Sequence, residues 1–463
     1  MINTKTTVTD VIDFTDVTDI NAVATRSKRS LSRLRTGRIW RNDAAFAAIA
    51  LAVAFAQAAS AQIPITLRDV LRAVNDSAEV RLARQAQASA EADVLSADHA
   101  PLPVFSSKLS QIDLQNGLGA GDWLGRKRID KAVGIDWTYE RGDKRLHRTS
   151  AAKSLVAATA AEIEETQLQQ MLTAQAAYFD WLAARERVQM AHTMVGASRE
   201  SVNVAQTRLK AGDLSQQDTS RIEIDAARVD VDKSAAELDL ARAVIALAQL
   251  TNRRDLSGFS GVPVAWPEAA ELARPTAMDE EAVVSLVTTR GDVKASRERV
   301  AAALSSLDGA YALQKVDPTW GISFDHYPGT STRLIELRVQ IPLTWGYRYQ
   351  GEAARAQSEL KQAELTVERV LRDARTELVR LNEEALAMAR RTKSFDQDIV
   401  PRASQVASQA EFAYKRGALS LTDLLDARRT LRVTQLDALT ARADLAKART
   451  ALMLRTDPQR LLR

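Results

Sequence analysis

Residues 146–210 contain no proline, and at 1.5 Å per residue a helix of that extent is about 100 Å long. No globular core is that wide, so such a helix must run alongside others rather than through a compact domain. Composition agrees: 46% hydrophobic but only 5% aromatic residues, with 18 glycines and 11 prolines in 463 residues, is poor in turn-formers. Alanine, leucine, arginine and glutamate dominate, the mixture expected of extended helical pairs that bury their apolar surface along seams.

The sequence is also two copies of one plan. An offset of 205 brings Gly212 onto Gly417, Asp218 onto Asp423, Ala151 onto Ala356 and Thr251 onto Thr456. Further upstream the offset becomes 213, where NDSAEVRLA overlays TTRGDVKAS. Both halves read helix, two strands, long helix, turn, helix. The pre-strand helices are expected at about 67–99 and 279–315, closed by Pro101 and Pro103 in one half and by Pro318 in the other. Residues 131–140 then alternate, with Val133, Ile135, Trp137 and Tyr139 on one face, and residues 334–343 repeat this with Ile335, Leu337, Val339 and Ile341. Their partners are expected at about 103–115 and 319–327, the latter with Trp320, Ile322 and Phe324 on one face. Loops at 116–125 and 327–332 join each pair.

Strands of roughly 9 to 11 residues with one apolar, aromatic-bearing face are long enough to cross an outer membrane in a barrel. Four strands cannot close one, and an open sheet in lipid leaves backbone groups unsatisfied, so membrane insertion requires several copies to share a barrel. Two soluble hairpins decorating a helical body remain the alternative.

The return helices carry heptads. Ile224, Val231, Leu238 and Ile245 recur every seven residues, with Ala227, Ser234, Ala241 and Ala248 three positions later. In the second half Leu424, Leu431, Leu445 and Leu452 alternate with Ala427, Thr434, Ala441 and Ala448, interrupted at Ala438. A helical stalk without a channel explains these seams equally well.

Residues 26–41 (RSKRSLSRLRTGRIWR) carry seven basic and no acidic side chains and run into the apolar stretch 44–56 and then Ala59-Ser60-Ala61, the order of a secretory signal. The apolar core is shorter than the roughly 20 residues of a comfortable membrane helix, so cleavage after Ala61 is expected, an uncleaved anchor being the alternative. Removing 1–61 takes away eight basic and five acidic residues, so the net charge falls from +4 to +1. No basic patch interleaved with aromatics survives, which argues against nucleic-acid binding. With no cysteine, stability must come from packing or assembly, and a lipid anchor on an N-terminal cysteine is excluded. The chain thus divides into a secretory segment (1–61), a first repeat (62–257), a linker (258–278), a second repeat (279–457) and a tail (458–463).

The stretch RLKAGDLSQQDTSRIEIDAA in the first half and EFAYKRGALSLTDLLDARRTL in the second closely resemble the paired helix-turn signatures of the TolC-type outer-membrane efflux family. The resemblance extends from Ile65 to about Asp457 and includes AAYFDWLAA (176–184), IDWTYERGDKRLHRTSAA (135–152) and RVQIPLTWGYRYQGEAARAQSEL (338–360). Its RGDKRLHR stretch is most similar to the members that serve cobalt, zinc and cadmium efflux. The resemblance implies a mainly α fold with a small β part, a homotrimer whose antiparallel coiled-coil helices form a periplasmic α-barrel, and four strands per chain in a shared 12-stranded outer-membrane β-barrel. It implies a periplasmic adaptor and an inner-membrane pump as partners, outer-membrane lipid around the strands, and an exit-duct function.

Two sets of residues carry that function in the resemblance. Asp423 and Asp426 match the aspartates that narrow the periplasmic entrance, and a spacing of three puts both on one helix face. Complementing the helix dipole after the turn is the alternative role, one that Asp423 could fill in either case. The adaptor-docking turns are Gly212, Asp213, Leu214 and Ser215 in one half and Gly417, Ala418, Leu419 and Ser420 in the other, each glycine doubling as a helix C-cap. Lys415-Arg416 departs from the small or apolar residues usual there.

No catalytic motif is present. The histidines His99, His147, His192 and His326 are scattered and lack cysteine partners, so neither a metal site nor a cofactor is expected, and the chain does not read as an enzyme. A periplasmic adaptor or scaffold that binds partners without forming a pore is the competing function. The cargo, whether divalent metals, organic compounds or polypeptide, stays open.

Overall fold

The computed structural model describes residues 65–112, 115, 129–252, 266, 279–328 and 331–462. The secretory segment, the 116–125 loop and all of the 258–278 linker except Trp266 lie outside the described residues.

The first repeat opens with α1 (Leu67–Ala73), a short 3₁₀ turn (Val74–Asp76) and α2 (Ala78–Ala97). One helix was expected over 67–99, but Asn75, Asp76 and Ser77 interrupt it. Their side chains compete with the helical ladder, and Ser77 leaves it to cap α2 by accepting from the Val80 N–H. The second repeat breaks at the matching place, between α5 (Glu280–Thr288) and α6 (Gly291–Ala312). Here the cause is tertiary. A Cβ at Gly291 would lie 2.7 Å from the Ala161 carbonyl, so only glycine admits this close approach, while Arg290 turns aside to bond Asp292 at 2.8 Å and Glu377 at 2.9 Å.

After the strands come the long elements. The helix α3 (Lys144–Ala211) runs 68 residues without a break and α4 (Gln216–Leu250) returns along it. In the second repeat α7 (Gln350–Ser394), a π-helical turn (Phe395–Ile399) and α8 (Val400–Lys415) run out, α9 (Leu421–Thr456) returns, and a short α10 (Pro458–Leu462) occupies the expected tail.

The AAYFDWLAA stretch supplies the centre of the core. Tyr178, Phe179, Trp181 and Leu182 bury against Leu71, Val74, Leu247 and Leu454, and the Trp266 ring stacks on Phe179 at 6.2 Å. Nearby, Arg455 is buried between Glu165 at 2.9 Å and Glu377 at 3.0 Å, tying α9 to α3 and α7. A guanidinium is tolerated there because both sides are paired.

The heptads divide. On α9 the expected residues Leu424, Thr434, Ala441, Ala448 and Leu452 are buried. On α4 the buried stripe is instead Ile222, Ala226, Val229, Ala236 and Leu247, while Ile224, Val231, Leu238 and Ile245 are all more than half exposed. The helix α4 is therefore apolar on two faces. It turns the one richer in small residues onto α3 and, among the described residues, leaves the large-residue seam exposed.

The strands β1 (Val104–Ser110), β2 (Asp130–Thr138), β3 (Thr319–Tyr327) and β4 (Ser331–Gln340) form one antiparallel sheet in chain order. The helix-to-strand prolines and Pro342, which has no N–H for a ladder, set its helical end. The two hairpins join through β2 and β3, with Ile135 opposite Ile322 and Trp137 opposite Trp320. Among the described residues no helix is long and apolar enough to cross a membrane.

Burial pushes the Tyr178 phenol up to about 12, above its ordinary 10. The neutral phenol is favoured in the folded protein. Its contribution is therefore intact below pH 10 and lost as pH rises towards 12, by about 2 to 3 kcal/mol. Tyr178→Phe should flatten this alkaline fall in chemical-denaturation stability; an unchanged alkaline limb would contradict the assignment.

Candidate functional site

The two turns are built alike, atom by atom. At the end of α3, Gly212 adopts φ +82°, its N–H donates to the Leu209 carbonyl at 3.0 Å, and the Asp213 N–H reaches back to the Arg208 carbonyl at 2.9 Å. At the end of α8, Gly417 adopts φ +76°, its N–H donates to Tyr414 at 3.0 Å, and the Ala418 N–H donates to Ala413 at 2.9 Å. A Cβ would meet nothing at either glycine, so the left-handed backbone alone demands the residue. The next helix then begins on a serine. Ser215 Oγ accepts from the Asp218 N–H at 3.0 Å and donates to the Asp218 carboxylate at 2.8 Å; Ser420 does the same with Asp423 at 3.2 and 2.7 Å.

Of the turn residues, Gly212, Asp213, Ser215, Gly417, Ala418 and Ser420 are exposed, and Leu214 and Leu419 are half-buried. Leu214 packs on a small tip core of Ala205, Ile222 and Leu421, which joins the two helical hairpins. Further ties cross between them: Arg428 to Ser201 at 2.9 Å, Arg432 to Asp225 at 3.7 Å and Arg221 to Thr422 at 3.4 Å. A cavity of 740 Å³ lies between the hairpins behind this core, lined by Val204, Val229, Leu424 and Leu425 with Arg428 and Arg432 at its polar side. Arg416 of the unusual Lys-Arg pair lies over the Phe412 ring at 4.1 Å, which holds its charge beside the turn.

The two aspartates differ in employment. Asp423 serves the Ser420 cap, while Asp426, one turn on, stands exposed on the same helix. The duplication sharpens the contrast, because the position matching Asp426 at the 205 offset is Arg221, which lies 3.9 Å from Asp218. The first repeat thus carries an Asp–Arg pair where the second carries Asp–Asp at these two positions. Comparing the copies position by position was the signal that could have singled out Asp426 from sequence.

At the other end, the sheet separates its chemistry by face. Val133, Ile135 and Trp137, Trp320, Ile322 and Phe324, and Ile335, Leu337 and Val339 share one exposed face. The opposite face holds Ala132, Gly134, Ser323, Asp325 and Glu336, and an Asp136–Arg338 ion pair at 2.5 Å that Gly321 makes room for. Apolar outside and polar inside is the alternation of a barrel strand around a wet lumen. Both outer strands, β1 and β4, pair on one side only.

Among the described residues no group of three His, Cys, Asp or Glu side chains is arranged to hold a metal ion. His192 faces Glu237 at 3.5 Å and His326 bonds the Thr332 carbonyl, on separate elements.

No family model and no curated protein matches the sequence. Solved structures do. The outer membrane protein VceC of Vibrio cholerae superposes with a TM-score of 0.68 at 17% identity, covering 86% of this chain and 96% of that one. The CmeC outer membrane channel of Campylobacter jejuni gives 0.70 at 15% identity over 84% and 85% of the two chains. The open state of the MtrE outer membrane channel of Neisseria gonorrhoeae gives 0.68 at 16% identity over 84% and 88%. The chain has the TolC-type channel fold. The four strands and the paired turns stand at opposite ends of the long helices.

The left-handed backbone at the turns gives a direct test. Gly417→Ala should cost about 1 to 3 kcal/mol of stability through strain alone, since no side chain crowds the added methyl. Thermal or chemical denaturation reads this, and a neutral substitution would contradict the strained-turn assignment.

Proposed function

We propose that this chain is the outer-membrane exit duct of a tripartite efflux system, exported by the 1–61 segment and working as a homotrimer. The observation that carries the reading is the four-stranded sheet with an apolar exposed face, a polar opposite face and two one-sided edges. Such a sheet is stable in lipid only if copies pair edge to edge, and three copies give the twelve strands of a closed barrel. The uncovered seam of Ile224, Val231, Leu238 and Ile245 on α4 supports the same assembly, because a neighbouring copy can cover it.

In this reading the helices form a hollow periplasmic cylinder and the turns at Gly212 to Ser215 and Gly417 to Ser420 meet a periplasmic adaptor, which links the duct to an inner-membrane pump. Exposed small residues and backbone at the turns suit docking by another helical protein, and the Arg416–Phe412 pair would contribute to which adaptor fits. The chain catalyses no reaction and needs no cofactor in this role. A wide duct requires only a weak electrostatic filter, so in this reading cargo selectivity lies with the pump.

Asp426 is the better gate residue of the two. Three copies would gather three exposed Asp426 carboxylates around the axis, with the Asp423 carboxylates engaged one turn away at the Ser420 caps. Crowded carboxylates attract cations and restrict the opening. In planar bilayers Asp426→Ala should raise single-channel conductance and weaken block by divalent cations, whereas Asp423→Ala should act chiefly on stability. Equal conductance and block in wild type and Asp426→Ala would remove the gate assignment. Absence of any conductance from the purified wild-type protein would instead favour a scaffold that forms no pore.

A further inference from the structure

The 740 Å³ cavity between the two hairpins has walls whose chemistry the duct reading does not use. The helix α3 borders it from Met194 to Arg208, about 20 Å of helix, so the space is long as well as large. Val204, Ile222, Val229, Leu424, Leu425 and Leu431 supply its apolar walls. Protein interiors are close-packed, and a gap of this size leaves such side chains without partner atoms on one side. Water fills it poorly, because an ordered water needs polar partners that a wall of this kind does not offer. The volume is that of a site for a small organic ligand, and the walls suit hydrocarbon.

The charges of the lining are sorted along its length. Arg428 pairs with Glu411 at 2.8 Å and Arg432 with Asp225 at 3.7 Å, so these four groups cancel. Towards the turns three donors stand together. Arg208 lies over the Tyr414 ring at 5.9 Å, and Lys415 follows Tyr414 on α8. Among the described residues neither Arg208 nor Lys415 has a carboxylate partner. The remaining carboxylate of the lining, Glu200, stands about 12 Å back along α3 from Arg208. The cavity therefore joins a cationic end to an apolar length.

We infer that this cavity is a binding site for a single-chain anionic amphiphile of the long-chain fatty-acid class. Its carboxylate sits at Arg208, Lys415 and the Tyr414 hydroxyl, and its hydrocarbon runs along Val204, Val229 and Leu424. The head group then receives charge-assisted hydrogen bonds that no group of the protein takes up, and the tail removes the apolar wall from water. A small polar anion would leave that wall wet, and a cationic amphiphile would meet Arg208 and Lys415. Of the turn residues assigned to adaptor docking only Leu214 lines the cavity, so the two sites are distinct. The site is formed within one chain and does not rest on the duct reading.

The test is saturable photolabelling of the purified protein in lipid nanodiscs, with diazirine-bearing hexadecanoate as the probe and the labelled peptides read by mass spectrometry. Labelling of 194–208 and 421–435 should saturate and be displaced by excess unlabelled hexadecanoate. The matching diazirine alcohol, which has no charge, should saturate these peptides about tenfold less tightly, the weight of two partly exposed ion pairs. Arg208→Gln with Lys415→Gln should weaken the acid by the same factor and leave the alcohol unchanged. Labels confined to the strands or rising without saturation overturn the inference, as does equal affinity for acid and alcohol in the unsubstituted protein. An unchanged affinity of the double variant for the acid removes the head-group assignment and with it the proposal. A protein that passes these arms yet gives no conductance in bilayers would lose the duct reading and keep the site.

Discussion

The structure depends on what happens at the edges of a sheet. A β-strand in hydrocarbon cannot leave its N–H and C=O groups unpaired, and each unsatisfied group costs several kcal/mol. Among the described residues the outer strands β1 and β4 each have one free edge, yet the sheet presents Ile, Leu, Val, Phe and Trp side chains on an exposed face. In water that face is a liability. In lipid it is an advantage, provided that other copies supply the missing strands. The second apolar seam of α4 poses the same problem along the helical region, which the proposed trimer would resolve in the same way.

Duplication built the chain, and divergence between the copies gave it direction. The caps at Ser215 and Ser420 and the left-handed glycines before them coincide bond for bond, so the turn is a common inheritance. The differences are informative because the framework is shared. Arg221 against Asp426 gives the second turn a second carboxylate one helical turn after the cap, a continuous α3 against the interrupted α7 and α8 places the π turn in one hairpin, and the seam of α9 is buried where that of α4 is exposed. Each change acts on a position whose backbone was already fixed.

Much of this was legible in the sequence. Proline-free length, the 205 offset, period-two strands and glycine-serine turns report on local backbone physics, and the helices, strands and turns appear where those signals lie. Apart from the local break at residues 75–77, the failures were tertiary. Nothing local at Thr289-Arg290-Gly291 requires a helix break; it follows from the close approach of α6 to Ala161 and from the ion pairs of Arg290. The α4 heptad was read correctly as apolar, but a sequence with two apolar faces on one helix does not say which of them its own chain covers. AAYFDWLAA was part of a family likeness and proved to be the aromatic centre of the core. At the candidate gate, the family resemblance pointed to both aspartates, and the hydrogen bonds show Asp423 engaged at the Ser420 cap.

The shared barrel is the claim on which the duct reading stands. Because the chain has no native cysteine, single cysteines introduced in β1 and β4 of the same molecule can report on edge pairing by oxidation in outer-membrane fractions, followed by denaturing electrophoresis. Pairing of β1 from one copy with β4 from the next predicts a covalent ladder that stops at a closed trimer. Cross-links confined to single chains, or none at all, would contradict it.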